Sequence, residues 1–392
     1  MPLVNMKDML RHAHDHGYAV GAFDLVSLDF LEGIMMAAEK TRAPVILSLA
    51  ESHFEYYDFE LLMRATTAAA ERASVPVAIH LDHGESLRSV VTGIRLGCNG
   101  VMVDASHHPF EENVRITKEV TDLAHAIGVP VEGELGYVPG VEGEDAEKHP
   151  GEIRYTTPEE AARYVEATSI DFLAVSIGTV HGRMKGTPKL DFGRLAEINA
   201  RLGIPLVIHG GTGLSDEQFR ALVKNGVSKI NYYTALSDAA ARVVHENARR
   251  GARGYTALAS GVRQAIAEEC TRMIRLWGGE NRAEEVLSAA HPWRNVMHVI
   301  EYNVEGLDEA GAARLRAKGR EALSRIPGVM AVETGVAIQP EDPPYRYAWL
   351  VRFCQPQVIA YYRDHPLHVE YADRHFRPVA GNRVTIDFEL DE

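Results

Sequence analysis

From the N-terminus to about residue 250, short β-branched apolar runs alternate with longer stretches whose apolar positions recur every three or four residues. The runs predict strands near 19–25, 44–50, 77–82, 100–105, 130–136, 172–177, 205–209 and 228–233. The stretches between them predict helices, among them Leu28–Lys40, Phe59–Ala73, Glu111–Ala126 and Pro158–Ala167. Eight strand–helix units over this length predict an α/β fold, a (β/α)8 TIM barrel. A doubly wound open sheet competes, but the first strand runs into Asp24-Leu-Val-Ser-Leu-Asp without the glycine fingerprint such sheets carry. The segment from Gly136 to about Tyr155 is rich in glycine, proline and acids and predicts a mobile lid. A second long loop follows His181. Residues 256–278 predict a further amphipathic helix, and Gly278-Gly-Glu-Asn-Arg-Ala predicts a boundary.

The last hundred residues change rhythm. Strands are predicted at Val296–Tyr302, Gly328–Thr334, Tyr347–Phe353 and Arg383–Glu389, with helices over Ala310–Ser324 and Gln357–Arg363 and a short one around His368–Phe376. The order βαββαβ predicts a small ferredoxin-like α+β domain. The expected division is a barrel over residues 1–285 and a second domain over 286–392.

Composition narrows the setting. The 392 residues carry a formal charge of −14 (41 basic, 55 acidic), which disfavours nucleic acid and anionic membrane as general partners. No apolar run is long enough to span a bilayer. The opening Met-Pro-Leu-Val-Asn-Met-Lys-Asp lacks a basic region followed by an apolar core, and the three cysteines are few and widely spaced. The expectation is a cytoplasmic protein.

The candidate chemistry lies at the strand ends. His83, His181 and His209 each follow an apolar run, and each is followed directly by glycine. The runs are Val77-Ala-Ile-His-Leu-Asp-His83, Phe172-Leu-Ala-Val-Ser-Ile-Gly178 with His181 just beyond, and Pro205-Leu-Val-Ile-His209. In a parallel barrel all three imidazoles project from the C-terminal rim, where barrels keep their chemistry. Three histidines with an open position describe a catalytic zinc site, able to polarise a carbonyl and stabilise an enediolate. Asp82, next to His83, can exchange a proton with a second carbonyl oxygen, its side chain leaving the strand opposite to His83 or from a fraying end. Glu134 and Asp104 bring further carboxylates to the rim. After His209 comes Gly210-Gly-Thr-Gly213, then Ser215 and Asp216, a backbone nest opening a helix that suits a phosphate; Asn231 and Thr234 follow one strand later.

These residues resemble the class II, zinc-dependent ketose-bisphosphate aldolases, particularly the fructose and tagatose branch, over residues 1 to about 280. The resemblance is carried by His80-Leu-Asp-His-Gly84, Val103-Asp-Ala-Ser-His-His-Pro-Phe-Glu-Glu-Asn113, Val131-Glu-Gly-Glu-Leu-Gly136, Gly178-Thr-Val-His-Gly-Arg-Met-Lys-Gly186 and His209-Gly-Gly-Thr-Gly213. It implies zinc ligation by His83, His181 and His209, with Glu134 near an alternative metal position. It also implies Asp82 as the acid at the aldehyde oxygen and Glu142 on the lid as the proton-abstracting base. For a phosphorylated sugar substrate with a dihydroxyacetone phosphate half, it implies Gly182, Gly210, Gly211 and Thr212, together with Asn231, Tyr232, Tyr233 and Thr234. Asp104, Ser106 and Lys185 are further substrate-binding candidates.

The chain departs from that family at Asp24, at Ser48-Leu-Ala-Glu-Ser-His-Phe-Glu-Tyr-Tyr and at Arg253-Gly-Tyr-Thr-Ala-Leu-Ala-Ser. Asp24, Glu51 and Glu55 would repel a second phosphate, so the expected aldehyde half is atypical. Residues 295–392 resemble the stress-responsive dimeric α/β-barrel domain through His298, Tyr361-Tyr-Arg-Asp-His-Pro-Leu-His368, Phe376-Arg-Pro378 and Val384-Thr-Ile-Asp-Phe388. That implies a homodimer or higher homo-oligomer, with His298, His365 and His368 serving packing ahead of a small pocket. The leading expectation is an active zinc aldolase. The alternatives are a degenerate sugar-phosphate binder and a bifunctional enzyme whose tail domain runs a second step.

Overall fold

The computed structural model describes residues 2–140, 144–146, 151–183, 188–338 and 344–390. By its contacts the chain divides into two units. One takes Met1–Val90, Cys98–Thr121 and Pro130–Pro292; the other takes Trp293–Glu392 with Val91–Gly97 and Asp122–Val129.

The first unit holds α1 (Met6–His16), β1 (Val20–Asp24), α2 (Leu28–Thr41), β2 (Val45–Ala50), α3 (Phe59–Glu71), β3 (Val77–Gly84), part of α4 (Leu87–Leu96) and β4 (Gly100–Val103). It continues with most of α5 (Phe110–Ala126), then β5 (Val131–Leu135), α6 (Pro158–Thr168), β6 (Phe172–Val175), α7 (Phe192–Leu202), β7 (Leu206–Ile208), α8 (Asp216–Lys224) and β8 (Val227–Tyr232). Last come α9 (Thr234–Arg249), α10 (Tyr255–Leu258), α11 (Val262–Leu276) and α12 (Ala283–Ala289). The eight strands run parallel in sequence order and close, β8 pairing with β1, into the expected barrel. Apolar runs buried on both faces are what a parallel sheet wrapped by helices requires. The single helix expected over 256–278 is instead two, because Gly261 takes a left-handed φ of 89° between α10 and α11.

One end of the barrel is plugged by α1. Met6, Met9, Leu10 and Ala13 bury against the starts of the strands, including Val20, Ala78, Phe172 and Val207. A Cβ at Gly100 would overlap the Met6 sulfur, so the helix lies directly on the strand backbone there. This closed floor leaves the opposite rim as the only open end of the barrel's interior among the described residues.

The second unit holds β9 (Val296–Val304), α13 (Glu309–Leu323), β10 (Val329–Val336), β11 (Tyr347–Phe353), α14 (Val358–Asp364), α15 (Pro366–Tyr371) and β12 (Ala380–Glu389). Its four antiparallel strands lie in the order β10-β11-β9-β12, which is the ferredoxin-like arrangement. One sheet face carries Tyr302, Trp349, Val351 and Phe353, buried under the helices; Tyr371 of α15 bonds the Leu315 carbonyl of α13 at 3.0 Å. The other face carries Val299, Leu350 and Ile386 in one cross-strand row, with Met297 and Phe388 beside them. Ile386 and Phe388 are about half exposed, at 47% and 48%. No described helix of the chain is long and apolar enough to cross a membrane.

Candidate active site

The rim opposite α1 gathers the three histidines. Ring centroids stand 4.6 Å apart for His83 and His209, 5.1 Å for His83 and His181, and 5.8 Å for His181 and His209. One nitrogen from each can be chosen so that all three lie within 4.8 Å of one another. Two of the rings have a nitrogen engaged by a carboxylate: His83 Nδ1 lies 2.9 Å from Asp104, and His209 Nε2 lies 2.9 Å from Glu132. A carboxylate behind an imidazole fixes its orientation and leaves the other nitrogen to face the cluster, where that of His209 also meets Glu134. Asp104 also accepts from the Ser106 amide at 3.0 Å, which holds the carboxylate that meets His83.

Asp82 and His83 both reach the rim, but by neither of the expected routes; opposite senses and a fraying end both fail to describe them. His83 adopts a left-handed φ of 45°, and the β3–β4 register shifts between Leu81 and Gly84. The extra residue is a bulge that re-aims the following side chain, a strained geometry typical of functional sites. Asp82 therefore keeps the inward position of the strand pattern while His83 turns up to the histidine cluster.

Below the histidines lies a buried polar network. Asp82 accepts from Asn231 Nδ2 at 2.9 Å on both oxygens, and Asn231 Oδ1 accepts from Lys229 Nζ at 2.7 Å. Lys229 also pairs with Glu132 at 2.8 Å, and both are fully buried. Burial opposes ionisation of Asp82, but His83, Lys229 and His209 hold its carboxyl well below the usual carboxylate range. Burial likewise opposes Glu132, yet the Lys229 ammonium and the His209 hydrogen bond bring it down to about 2. Burial and then Lys229 push His80 down to about 3, leaving it a neutral ring at neutral pH. Sequence reasoning missed Glu132, Lys229 and His80. The period of two was the available signal, since 229 and 231, 132 and 134, and 80 and 82 share the inward face.

A cavity of about 540 Å³ opens beside the cluster, with Asp104, Ser106, Glu134 and Tyr137 on its walls. Glu134 reaches His209 Nδ1 at 3.1 Å. Among the described residues lining this cavity none is lysine or arginine. Glu51 does not point its charge freely into it: its oxygens accept from the Glu85 amide and the Ser89 hydroxyl, each at 2.7 Å. Asp24 is buried, and Glu55 is exposed.

The nest turns at Gly210, a position that only glycine fits. Gly210 has φ 71°, and a Cβ there would overlap the Val180 carbonyl oxygen; Gly182 has φ 80°. Gly211 and Thr212 follow, and the Thr212 hydroxyl accepts from the Ala235 amide at 3.3 Å, near the start of α9. Ser215 caps α8 in a reciprocal box with Gln218. Thr234 opens α9 and is buried, and the Tyr233 ring lies 4.4 Å from that of His53. Tyr232 requires a correction. Strand alternation turns its ring outward among Phe23, Phe219 and Trp277, with its hydroxyl on Glu269 at 2.8 Å, so its side chain is not at the mouth. Glu142 and Lys185 lie outside the described residues. The described parts of the segment after β5 are laced to the loop after β6: the His181 amide donates to Pro139 O at 2.8 Å and the Arg183 amide to Glu144 O at 2.7 Å.

Each unit matches a known protein family. The family model for Fructose-bisphosphate aldolase class-II matches residues 4–282, and that for the Stress responsive A/B Barrel Domain matches residues 304–390. A probable fructose-bisphosphate aldolase of Bacillus subtilis is 45% identical over 237 residues, 60% of this chain and 82% of its own length. The fructose-bisphosphate aldolase of Geobacillus stearothermophilus is 46% identical over 238 residues, with the same coverage of 60% and 82%. Among solved structures, the YdjI aldolase from Escherichia coli K12 superposes with a TM-score of 0.65 at 34% identity, covering 72% of this chain and 99% of that one.

Proposed function

Because this chain belongs to the class II fructose-bisphosphate aldolase family, and so is a lyase of the aldolase type, we propose that it makes and breaks a carbon–carbon bond of a ketose phosphate with dihydroxyacetone phosphate as the donor half. The observation that carries this reading is the meeting of His83, His181 and His209 at the open rim of a closed barrel, beside buried Asp82.

The donor set suits zinc, since it offers one nitrogen from each of three imidazoles within 4.8 Å of one another, two of the rings braced by carboxylates. We assign His83, His181 and His209 as its ligands and Glu134 to an alternative position. When bound, the ion supplies Lewis-acid polarisation of the substrate's ketone oxygen. The remaining work falls to the chain. Asp82 exchanges a proton with the aldehyde oxygen. Glu142 takes the proton from the hydroxymethyl carbon, a role that rests on the family motif. Backbone N–H groups of Gly182 and Gly210–Thr212, with Thr234 at the start of α9, hold the phosphate.

The cavity's lack of lysine and arginine among the described residues, together with its acidic neighbours, supports an aldehyde half without a phosphate. Turnover of fructose or tagatose bisphosphate at ordinary aldolase efficiency would overturn that part. We assign the aldolase to residues 1–285 and a dimerising function to 286–392, where the apolar sheet face pairs with a second copy. The three free, buried cysteines suit a reducing cytoplasm.

Hydrogen exchange at the hydroxymethyl carbon of dihydroxyacetone phosphate, in deuterated water with zinc-loaded protein and no aldehyde, tests the reading. Exchange that is lost in His209→Ala supports it. No exchange in the parent protein overturns the choice of donor.

A further inference from the structure

Lys229 is fully buried inside the barrel, where an apolar side chain would fill the same volume at lower desolvation cost. A buried ammonium is costly to desolvate even when paired, so its presence calls for a positional reason. The geometry supplies one. Both oxygens of Asp82 rest on a single nitrogen, Asn231 Nδ2, at 2.9 Å each, so any rotation of that amide tilts the whole carboxylate. The opposite end of the amide, Oδ1, is bonded to Lys229 Nζ at 2.7 Å. Lys229 and Asn231 are two apart on β8 and share its inward face, so the strand itself sets their spacing. Glu132 on β5 anchors the ammonium at 2.8 Å from the far side.

We propose that Lys229 is a positioning residue for Asp82, acting through the Asn231 amide and touching no substrate itself. The Asp82 role is the one argued under Proposed function, but the geometric part of the inference stands apart from it. Without Lys229, Asn231 Oδ1 is a buried acceptor with no donor, and the amide gains reason to turn. Asp82 then loses the donor that fixes both its oxygens.

Lys229→Met is the direct test. Since it leaves Glu132 without its cation, the charge-balanced pair Lys229→Met with Glu132→Gln is made alongside it. The crystal structure of whichever variant folds is expected to have Asn231 rotated and Asp82 released from Nδ2. A structure that keeps both 2.9 Å bonds overturns the inference whatever the activity. In zinc-loaded Lys229→Met, aldol cleavage is expected to fall roughly ten- to a hundredfold in kcat with KM little changed, while donor-half hydrogen exchange is retained; the pair, which also removes the carboxylate behind His209, is judged by its crystal structure alone. In an Asp82→Asn background, Lys229→Met is expected to add no further loss. Additive losses, or cleavage and exchange falling together, mark a structural role and overturn the inference. Absence of exchange in the parent protein counts against the proposed donor instead, and the crystal structures of the variants still decide whether Lys229 positions Asp82.

Discussion

The chain contains two sheets that solve the same problem differently. The eight-stranded sheet closes on itself, has no edge, and is covered on its outer face by helices and at one end by α1. Its interior near the rim holds Lys229, Glu132, His80 and Asp82, all 2% exposed or less. The four-stranded sheet stays open, with β10 and β12 as edges and one face covered. Its other face carries Val299, Leu350 and Ile386. Closure excludes water from every direction but one, so charges can be held there in fixed, paired positions. An open sheet leaves its uncovered face to be finished by something else. The first design makes a site; the second makes a surface.

Four changes test that contrast, ranked by expected size. His209→Ala should empty the site: metal content of the purified protein, read by elemental analysis, falls from about one per chain to near zero, and donor exchange drops by at least about a thousandfold. Asp82→Asn keeps the histidine cluster and removes the proton carrier, so cleavage should fall about a hundred- to ten-thousandfold while exchange persists. Equal loss of both activities would remove Asp82 from that role. Gly210→Ala places a methyl against the Val180 carbonyl at a φ of 71°. It should cost about 1–3 kcal/mol in urea unfolding and weaken binding of inorganic phosphate. The smallest catalytic effect belongs to Ile386→Asp. It should shift the protein toward monomer in sedimentation while changing cleavage by less than about twofold, since the aldolase site lies in the other unit; an unchanged oligomer would refute pairing through this face.

Much of the barrel is legible in the sequence because each strand is a short, doubly buried run ending near glycine, and parallel sheets concentrate apolar residues in this way. The histidines are legible for the same reason, since they sit where the runs stop. What escapes is set by tertiary context. A left-handed φ at His83 has no sequence mark, because histidine, though enriched there among non-glycine residues, adopts it only rarely. Lys229 has the look of a surface residue, and only its partnership with Glu132, from a different strand of the barrel, explains its burial. Tyr232 goes astray when its motif is taken as a block, whereas the strand sends alternate side chains to opposite faces. In the second unit, β11 has the same bounds in sequence and structure, Tyr347–Phe353, its alternation being fully regular.

The helix that floors the barrel has a consequence for assembly in time. Met9 and Leu10 finish their burial against strand starts as late as Val207 and against Val286 of α12. The Asp8 carboxylate accepts from the His291 amide, 283 positions away. On a ribosome, α1 emerges before every strand of the barrel, yet its docking surface is not complete until nearly the whole first unit has been made. Until then its apolar stripe has no native place to go, and a chaperone or a neighbouring nascent chain is the competitor it meets. A helix made before every strand it floors is thus among the last parts of the unit to be locked, and a stalled or truncated chain ending before residue 286 would carry that stripe exposed.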